Sequence, residues 1–278
     1  MINFIRYPGG KGKFISFLSN FLPNSEGIQG TYIEPFVGGG SVFFYLQPKK
    51  ALLSDINAEL IDLYRGIKLN PKRIWQKYRS FPSNKNGYHK IRGLEHGKLN
   101  LIERAARSLF LNRTCFKGMW RHNASGEFNI GYGGQSRRWC INCDDLLLVS
   151  KIMSKASLRC SDFEEVICGA KENDFIFLDP PYRPGEKELL NGHYYGKKFT
   201  YEDHRRLASC LRVVNKKNVF WAITTSNHRE ILKLFKKFFV YEIPKGTGAK
   251  IGVLTRGPGE VLISNYRGNN EKISRRSG

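Results

Sequence analysis

The sequence predicts an α/β fold in which a mostly parallel sheet carries helices on both faces and is interrupted by a basic, mostly helical insertion. Residues 31–46, TYIEPFVGGGSVFFYL, follow the pattern of strand, glycine turn and helix. Residues 51–55, ALLSD, form a second strand pattern, and apolar side chains at helical spacing follow in residues 56–66. Strands that alternate with helices are typical of a parallel sheet, because the crossover helices cover its faces.

The insertion is predicted by a break in this alternation after residue 66. Residues 70–112 carry basic, helical patterns, and residues 113–139 combine Gly, Asn, Arg and aromatic residues as hairpins and loops do. We therefore predict a sheet domain formed by residues 1–58 and 146–278, with an insertion at residues 59–145. The later elements are predicted as strands at 157–160, 175–178, 219–227, 238–243 and 260–266, and as helices at 201–215 and 229–237.

The charge balance indicates a polyanionic partner. Lys and Arg number 46 against 24 Asp and Glu, which gives a net charge of +22. Residues 60–145 hold 17 of the basic residues and six of the acidic ones, so half of the excess lies in less than a third of the chain. Nucleic acid is the usual partner of such a surface, and the insertion is its expected contact.

Other features narrow the class of protein. No run approaches the roughly 18 continuous apolar residues of a membrane span. The first residues, MINFIRYPGGKGK, lack the apolar segment and cleavage site of a secretory signal. Of six cysteines, only Cys140 and Cys143 have CxxC spacing and no second pair follows, so we predict no metal site. We expect a cytoplasmic protein with reduced thiols and no membrane contact.

A rigid corner follows one predicted strand. In NDFIFLDPPY, residues 173–182, Asp179 ends the apolar run FIFL and two prolines follow. Pro180 and Pro181 fix their own φ angles and hold the preceding residues extended. The corner therefore keeps the Asp179 carboxylate, the Pro180 carbonyl and the Tyr182 ring in a fixed relation. By itself the pattern also fits an ordinary exit from a strand with an exposed Asp.

A glycine turn followed by an acid indicates a site for a nucleoside cofactor. Gly38, Gly39 and Gly40 separate a strand from a helix, where glycines permit a tight turn and close approach of a ligand. Asp55 ends the next strand, where such an acid commonly accepts hydrogen bonds from a ribose. Folds that bind NAD(P) and folds that bind S-adenosylmethionine both have these features, although the GxGxxG spacing of dinucleotide sites is absent.

Two further stretches are candidate parts of this site. RYPGGKGK, residues 6–13, combines an aromatic residue, glycines and lysines, although a flexible basic N-terminus has the same composition. Asp162 and Phe163 follow the predicted strand at 157–160, at the end where ligands collect in open α/β sheets. A helix N-cap explains Asp162 equally well.

In this order the motifs resemble the Dam family of S-adenosylmethionine-dependent DNA adenine-N6 methyltransferases over nearly the whole chain. The resemblance implies a Rossmann-like methyltransferase sheet of the α type. In this type the glycine motif precedes DPPY, and a recognition segment, here residues 112–131, lies between them. Four shared segments come before the corner: Tyr7 to Lys11, Glu34 to Phe43, Asp55 to Asn57, and Asn112 to Asn129 with Gly118 and Arg121 inside it. The others are Asp179 to Tyr182, the pair Phe199 and His204, and EVLISNY at 260–266.

The resemblance implies site-specific transfer of a methyl group from S-adenosylmethionine to N6 of an adenine flipped out of duplex DNA. Asp179 and the Pro180 carbonyl would accept hydrogen bonds from the two N6 protons, and Tyr182 would stack on the base. The prolines then prevent this constellation from relaxing, so catalysis would depend on positioning and electrostatics.

The same resemblance assigns binding roles. Asp55 would hold the cofactor ribose, and Asp162 and Phe163 its adenine; the full cofactor set is Tyr7, Lys11, Phe36, Gly38, Gly40, Asp55, Asp162, Phe163 and Asp179. Among DNA contacts, Arg6 would read a base beside the target, Arg121 a guanine, and Phe116 would wedge into the duplex. Asn123 belongs to the same segment, and the expected phosphate contacts are Arg113, Lys117, Arg137 and Arg138.

The chain departs from the family in its recognition segment. Phe116-Lys117-Gly118 replaces the usual Tyr-Asn-Gly, and Ile130-Gly131 replaces Val-Pro after Phe128-Asn129. We therefore do not carry over the family's best-known target, GATC. The roles of residues 183–199 and of the glycine-rich residues 246–260 are left open.

Double-stranded DNA is the expected partner, a cognate restriction endonuclease is a candidate functional partner, and the sequence does not indicate an oligomeric state. Two other functions remain open. An RNA base methyltransferase can carry a related corner, although the large basic insertion favours duplex DNA. A non-catalytic DNA-binding protein is the other, although a pure binder needs neither Asp179 nor Asp55.

Overall fold

The computed structural model describes residues 4–123, 125–182, 199–244 and 259–268. Its strands form one sheet in the order β3-β2-β1-β4-β5-β7-β6, with β1 to β5 parallel and β7 antiparallel to both β5 and β6. The strands are β1 (Tyr32–Glu34), β2 (Ala51–Asp55), β3 (Ala156–Cys160), β4 (Phe175–Leu178), β5 (Phe220–Ser226), β6 (Phe239–Ile243) and β7 (Glu260–Ser264).

The strand order contains a switch point, where the side of the sheet on which the chain adds new strands changes. From β1 the chain adds β2 and β3 on one side, and it then returns to add β4 and β5 on the other side. The connections that leave the neighbouring strands β1 and β4 therefore run to opposite sides of the sheet. In open α/β sheets ligands bind in the crevice at the carboxyl ends of such a pair.

Helices cover the sheet and build the insertion. Several begin at polar caps: Asn100, Asn142 and Thr200 each form a reciprocal capping box with an acid three residues later. No helix in the described ranges is long and apolar enough to span a membrane. The helices are α1 (Ile15–Leu18), α2 (Ser41–Leu46), α3 (Ala58–Leu69), α4 (Pro71–Ser80), α5 (Lys85–Arg92), α6 (Leu101–Thr114), α7 (Cys143–Met153), α8 (Phe163–Cys168), α9 (Tyr201–Asn215) and α10 (Arg229–Leu234).

Both faces of the sheet are buried, because alternate side chains of the strands enter two different cores. On β4, Phe175 and Phe177 enter a core shared with α2, α3 and α6, whereas Ile176 and Leu178 enter a core shared with α8, α9 and α10. The first core continues into the helices of the insertion. This explains why FIFL is apolar at every position, as expected for a central parallel strand.

The predicted α/β fold and its strand positions are confirmed. The basic stretch 70–112 forms α4, α5 and α6, and residues 113–139 contain isolated antiparallel bridges, Cys115 to Tyr132 and His122 to Phe128. The helix predicted at 229–237 ends earlier, at Leu234. The loops predicted at 183–199 and 246–260 lie almost entirely outside the described residues.

The division at residue 58 remains a prediction, since α3 contacts both parts. Its Lys68 Nζ donates to the Ala156 carbonyl of β3 at 2.6 Å, and Arg65 donates to the Leu158 carbonyl at 3.3 Å. On another face α3 pairs with α6 of the insertion through Glu59 and Arg107. This helix therefore joins the sheet to the insertion.

Candidate active site

A cavity of about 600 Å³ opens where the carboxyl ends of β1 and β4 diverge. Three stretches that are distant in sequence line it: residues 7–11, the end of β1 with the glycine turn, and the DPPY corner. The structure therefore brings together three motifs that the sequence singled out separately.

Asp179 leaves the end of β4 beside β5. Leu178 is in register with Ile223, so the next residue on each strand, Asp179 and Thr224, are neighbours. Thr224 Oγ1 donates to Asp179 Oδ1 at 2.6 Å, and Lys11 Nζ lies 2.9 Å from the same oxygen. The side chain remains 20% exposed. The Tyr182 hydroxyl also lies 3.4 Å from this oxygen, so three partners hold the carboxylate while it stays accessible from the cavity.

Lys11 connects the N-terminal segment to the corner. Its side chain is only 4% exposed, and Nζ also donates to the Gly9 carbonyl at 3.0 Å and lies 4.7 Å from the centre of the Tyr182 ring. The Tyr182 hydroxyl donates to Glu260 Oε2 at 3.1 Å. Burial, together with the Asp179 and Glu260 carboxylates, raises the pKa of Tyr182, so its hydroxyl stays protonated and acts as a donor.

Glu260 is a site residue that the sequence interpretation missed. Its carboxylate contacts the Tyr182 hydroxyl and lies 3.8 Å from Lys11 Nζ. It is the first residue of β7, which is antiparallel to β5 and pairs Glu260 with Ser226. Because of that direction, the start of β7 lies at the same edge as the ends of the parallel strands. The sequence predicts the strand but not its direction.

Glu34 is a second missed residue, and it shows the same signal as Asp179, an acid at the end of a buried strand. It lines the cavity, is 2% exposed and accepts a hydrogen bond from the Tyr32 hydroxyl at 2.8 Å. Burial, reinforced by the Asp179 carboxylate, raises the pKa of Glu34 to about 8. The site therefore holds a largely protonated carboxyl at neutral pH.

Asp55 organises the glycine turn. Its Oδ2 accepts the Gly38 N–H at 3.1 Å and its Oδ1 accepts the Asn57 N–H at 3.0 Å. Gly38 and Gly40 have φ of +45° and +65°, and a Cβ at Gly38 would lie 3.0 Å from the Tyr7 ring. Glycine is therefore required at this turn, and Asp55 fixes its shape.

An aromatic pair lies beside the cavity. Phe36 lines the cavity, and its ring lies 5.4 Å from that of Phe163. Asp162 caps α8 by accepting the Glu164 N–H at 2.9 Å and also pairs with Arg206 at 2.9 Å. The N-cap interpretation of Asp162 is confirmed, and the cofactor roles of Asp162 and Phe163 remain predictions.

The N-terminal segment also contacts the recognition segment. The Arg6 N–H donates to Asn112 Oδ1 at 2.8 Å, and the Asn112 amide returns a bond to the Arg6 carbonyl at 2.6 Å. The side chain of Arg6 lies against Gly118, where an added Cβ would come within 2.6 Å of Cδ. The rings of Tyr7 and Trp120 are 5.8 Å apart. Arg6 therefore lies between the cavity and the recognition segment.

Five of the predicted DNA contacts lie at or near the surface of the insertion. Phe116 is 51% exposed, and Lys117 beside it has φ of +55° with Nζ 5.2 Å from the Phe116 ring. Arg121 Nε donates to Asn129 Oδ1 at 3.1 Å. The others are Asn123, which is half-buried, and Arg137, which is exposed.

Arg113 and Arg138, which are predicted as phosphate contacts, both have buried side chains. Arg138 is fully buried, and its guanidinium donates to backbone carbonyls at the end of α4, including that of Phe81 at 2.6 Å. Arg113 Nε donates to the Arg137 carbonyl at 3.0 Å. These two arginines hold the insertion together, and nothing in the sequence distinguishes Arg138 from its exposed neighbour.

The chain matches one family of known proteins. The model of the D12 class N6 adenine-specific DNA methyltransferases matches residues 7–247. Type II methyltransferase M1.LlaDCHI of Lactococcus lactis subsp. cremoris is 30% identical over 274 residues, 95% of each chain. Type II methyltransferase M.MjaIII of Methanocaldococcus jannaschii is 31% identical over 289 residues, 95% of this chain and 98% of that one. The DNA adenine methylase of Escherichia coli (strain K12) is 28% identical over 233 residues, 82% of this chain and 81% of that one. This chain belongs to the D12 class of N6 adenine-specific DNA methyltransferases.

Proposed function

We propose that the protein transfers a methyl group from S-adenosylmethionine to N6 of an adenine flipped out of double-stranded DNA at a specific sequence. The observation that carries the proposal is the meeting of the Asp179 corner and the Gly38–Gly40 turn in one cavity at the switch point of the sheet. One motif suits the target amine and the other suits a nucleoside donor.

The residues around the cavity fit S-adenosylmethionine. That molecule supplies a methyl group on a positively charged sulfonium, and it also carries an ammonium group, a ribose and an adenine ring. The acids Glu34 and Asp179 line the cavity and suit its positive charge. Asp55 lies buried under the glycine turn that lines the cavity, and its carboxylate suits the ribose hydroxyls. Phe36, which lines the cavity, offers an aromatic face to the adenine, and the buried ring of Phe163 packs against it.

Catalysis then depends on orienting a poor nucleophile. The lone pair of the adenine amine is delocalised into the ring. Hydrogen bonds from N6 to Asp179 and to the Pro180 carbonyl draw the nitrogen towards a tetrahedral shape and turn the lone pair to the methyl group. Lys11 and Thr224 hold the Asp179 carboxylate in place, and the carboxylate stabilises the positive charge that develops on N6. The Tyr182 ring offers a stacking surface to the flipped base.

A labelling experiment tests this function. The protein is incubated with S-adenosylmethionine labelled in the methyl group and with duplex DNA, single-stranded DNA or RNA, and the products are digested to nucleosides. We expect label in N6-methyladenine from duplex DNA. Label in RNA would favour the RNA methyltransferase, and no label in any nucleic acid would favour a pure binder.

Pairing with a restriction endonuclease is a further part of the proposal. It is supported by the name Type II methyltransferase that two of the relatives carry. If the pairing holds, DNA methylated by this protein resists an endonuclease that cuts the same sequence. Cleavage of fully methylated DNA by every enzyme that recognises the mapped sequence would contradict it.

We expect Asp55→Ala to weaken binding of S-adenosylmethionine by roughly ten- to a hundredfold. A hydrogen bond between a ribose hydroxyl and a carboxylate contributes about 1.5–3 kcal/mol, which corresponds to that range. Since Asp55 also holds the Gly38 N–H, part of the loss reflects a loosened turn. Titration calorimetry measures the affinity, and an unchanged value would remove Asp55 from the site.

We expect binding of S-adenosylmethionine to release protons at pH 7 through Glu34. The pKa of Glu34 is raised to about 8 in the free protein by burial, and a bound cation favours the ionised carboxylate and lowers that pKa. Affinity therefore rises with pH up to about 8. Calorimetry in two buffers of different ionisation enthalpy counts the protons. The Glu34→Gln variant is expected to release fewer, and equal release by both proteins would contradict the assignment.

We expect Arg121→Ala to impair sequence discrimination and Arg137→Ala to impair general affinity for DNA. Asn129 fixes Arg121 through Nε, so the terminal amino groups are those that would grip guanine O6 and N7. Its loss costs about 1–3 kcal/mol and relaxes discrimination at one base pair. The loss of Arg137 weakens binding to all sequences and lowers the salt dependence by about one unit. A library of singly altered duplexes at two salt concentrations separates the two, and equal weakening by Arg121→Ala on every duplex would make it a phosphate contact.

A further inference from the structure

A buried carboxylate in the first turn of α3 joins three elements. Glu59 is 4% exposed, and its Oε2 lies 3.2 Å from Nε2 of His122, which is 1% exposed. Its Oε1 lies 3.2 Å from a terminal nitrogen of Arg107 on α6. Arg107 is itself held by the carbonyls of Ile91 and Arg92. One anion thus receives partners from α6 and from the recognition segment.

The charge at Glu59 holds these partners in a defined arrangement. Burial by itself raises the pKa of a carboxyl group, but the His122 imidazole 3.2 Å away and the charge of Arg107 outweigh burial here, so the pKa of Glu59 is lowered. An ionised group this deeply buried tolerates little displacement of its partners, because an unpaired buried charge is costly. The contact therefore fixes the distances from Glu59 to His122 and to Arg107.

The two ends of this contact lie in the two functional parts of the protein. Glu59 follows Asn57, which caps α3 and whose N–H is held by Asp55 beneath the glycine turn. His122 sits between Arg121 and Asn123, and forms a bridge with Phe128. Only three residues along the chain thus separate Asp55, the acid at the glycine turn, from Glu59, the acid that contacts His122 in the recognition segment.

We propose that Glu59 and His122 are positioning residues that fix Arg121 and residues 125–129 relative to the cofactor turn and so set how strictly the target sequence is discriminated. The inference rests on the proposed role of Arg121 in base reading. Both side chains are buried and act through their neighbours. When the contact is lost, exposed basic residues such as Lys117 and Arg137 still hold the DNA backbone, but Arg121 no longer meets its base at a fixed place.

The test uses paired variants of the full chain, after the methylated sequence has been mapped. His122→Leu removes the ring nitrogen that lies 3.2 Å from Glu59 Oε2, whereas His122→Gln keeps a nitrogen near the position of Nε2. Asp62→Asn is the matched control: it lies one turn later on α3, and its partners Arg104 and His96 lie outside residues 121–129. The assay measures kcat and KM on the mapped duplex and on duplexes altered at single positions.

We expect His122→Leu to lower the ratio of kcat/KM between the mapped duplex and the duplex altered at the Arg121 position by about tenfold, within the range that one bidentate base contact supplies. His122→Gln is expected to retain most of the ratio, and Asp62→Asn all of it. The value of kcat on the mapped duplex is expected to change little. If His122→Leu does not fold, His122→Asn, which is too short to reach Glu59, replaces it.

A folded His122→Leu variant with an unchanged ratio would overturn the inference, and so would an equal loss of kcat on every duplex. In both cases wild-type activity on duplex DNA would leave the proposed function intact. A wild-type protein that methylates no adenine would overturn the proposed function and this inference together.

Discussion

Asp179→Ala is expected to lower kcat by about 10²–10³-fold or more while the protein remains folded. Asp179 is the carboxylate that the DPPY corner presents to the cavity, and Lys11 and Thr224 hold it at 2.9 and 2.6 Å. Removal of one preorganised group that stabilises charge in a transition state has an effect of that size. Because the group acts mainly on the developing charge at N6, we expect a larger change in kcat than in the KM for DNA.

The design must separate catalysis from stability, since Asp179→Ala leaves the buried Lys11 ammonium beside Glu260 at 3.8 Å. Asp179→Asn keeps the volume of the side chain and places an amide in the same contacts, and it is expected to lose activity as well. Glu202→Ala, at an exposed acid of α9, is the control and is expected to remain active. Circular dichroism and thermal melting confirm folding. Near-normal turnover by a folded Asp179→Ala protein would contradict the catalytic role.

Much of the fold follows from local patterns, because each element carries its own boundaries. The helix predicted at 201–215 is observed at Tyr201–Asn215, where Thr200 and Asp203 form a capping box at its start. The run FIFL is apolar at every position because both faces of β4 are buried. These signals depend on residues that are adjacent in sequence, so the sequence alone exposes them.

The order of strands in the sheet depends on contacts between distant residues and not on local sequence. For this reason the sequence does not reveal Glu260 as a residue of the site. The late strand was predicted at 260–266, but its place between β5 and β6 and its antiparallel direction depend on contacts between distant residues. Those contacts bring Glu260 to Tyr182 and Lys11. Glu34 was missed for a related reason, because the pKa that distinguishes it arises from burial and from Asp179, which the sequence does not place beside it.

The sequence does not show which arginines are buried, and the neighbours Arg137 and Arg138 differ in this respect. Arg138→Ala is expected to reduce the free energy of unfolding by about 3 kcal/mol or more, whereas Arg137→Ala changes it by less than about 0.5 kcal/mol. The Arg138 guanidinium donates to the carbonyls of Tyr78, Phe81 and Pro82 at 3.1, 2.6 and 3.0 Å. Its loss removes this donor from the carbonyls of Phe81 and Pro82, just beyond the end of α4, and from that of Tyr78, and hydrogen bonds to charged groups are individually strong.

The neighbouring pair makes this prediction sharp, because the two variants remove the same charge one residue apart. Denaturant unfolding measures the stability of each, and DNA binding at two salt concentrations measures the contribution of each to phosphate contact. Arg138→Ala is expected to change stability, and Arg137→Ala the salt dependence. If Arg138→Ala instead unfolds at the wild-type denaturant concentration and lowers the salt dependence by about one unit, its side chain reaches DNA, and the burial of Arg138 at the end of α4 does not describe the protein in solution.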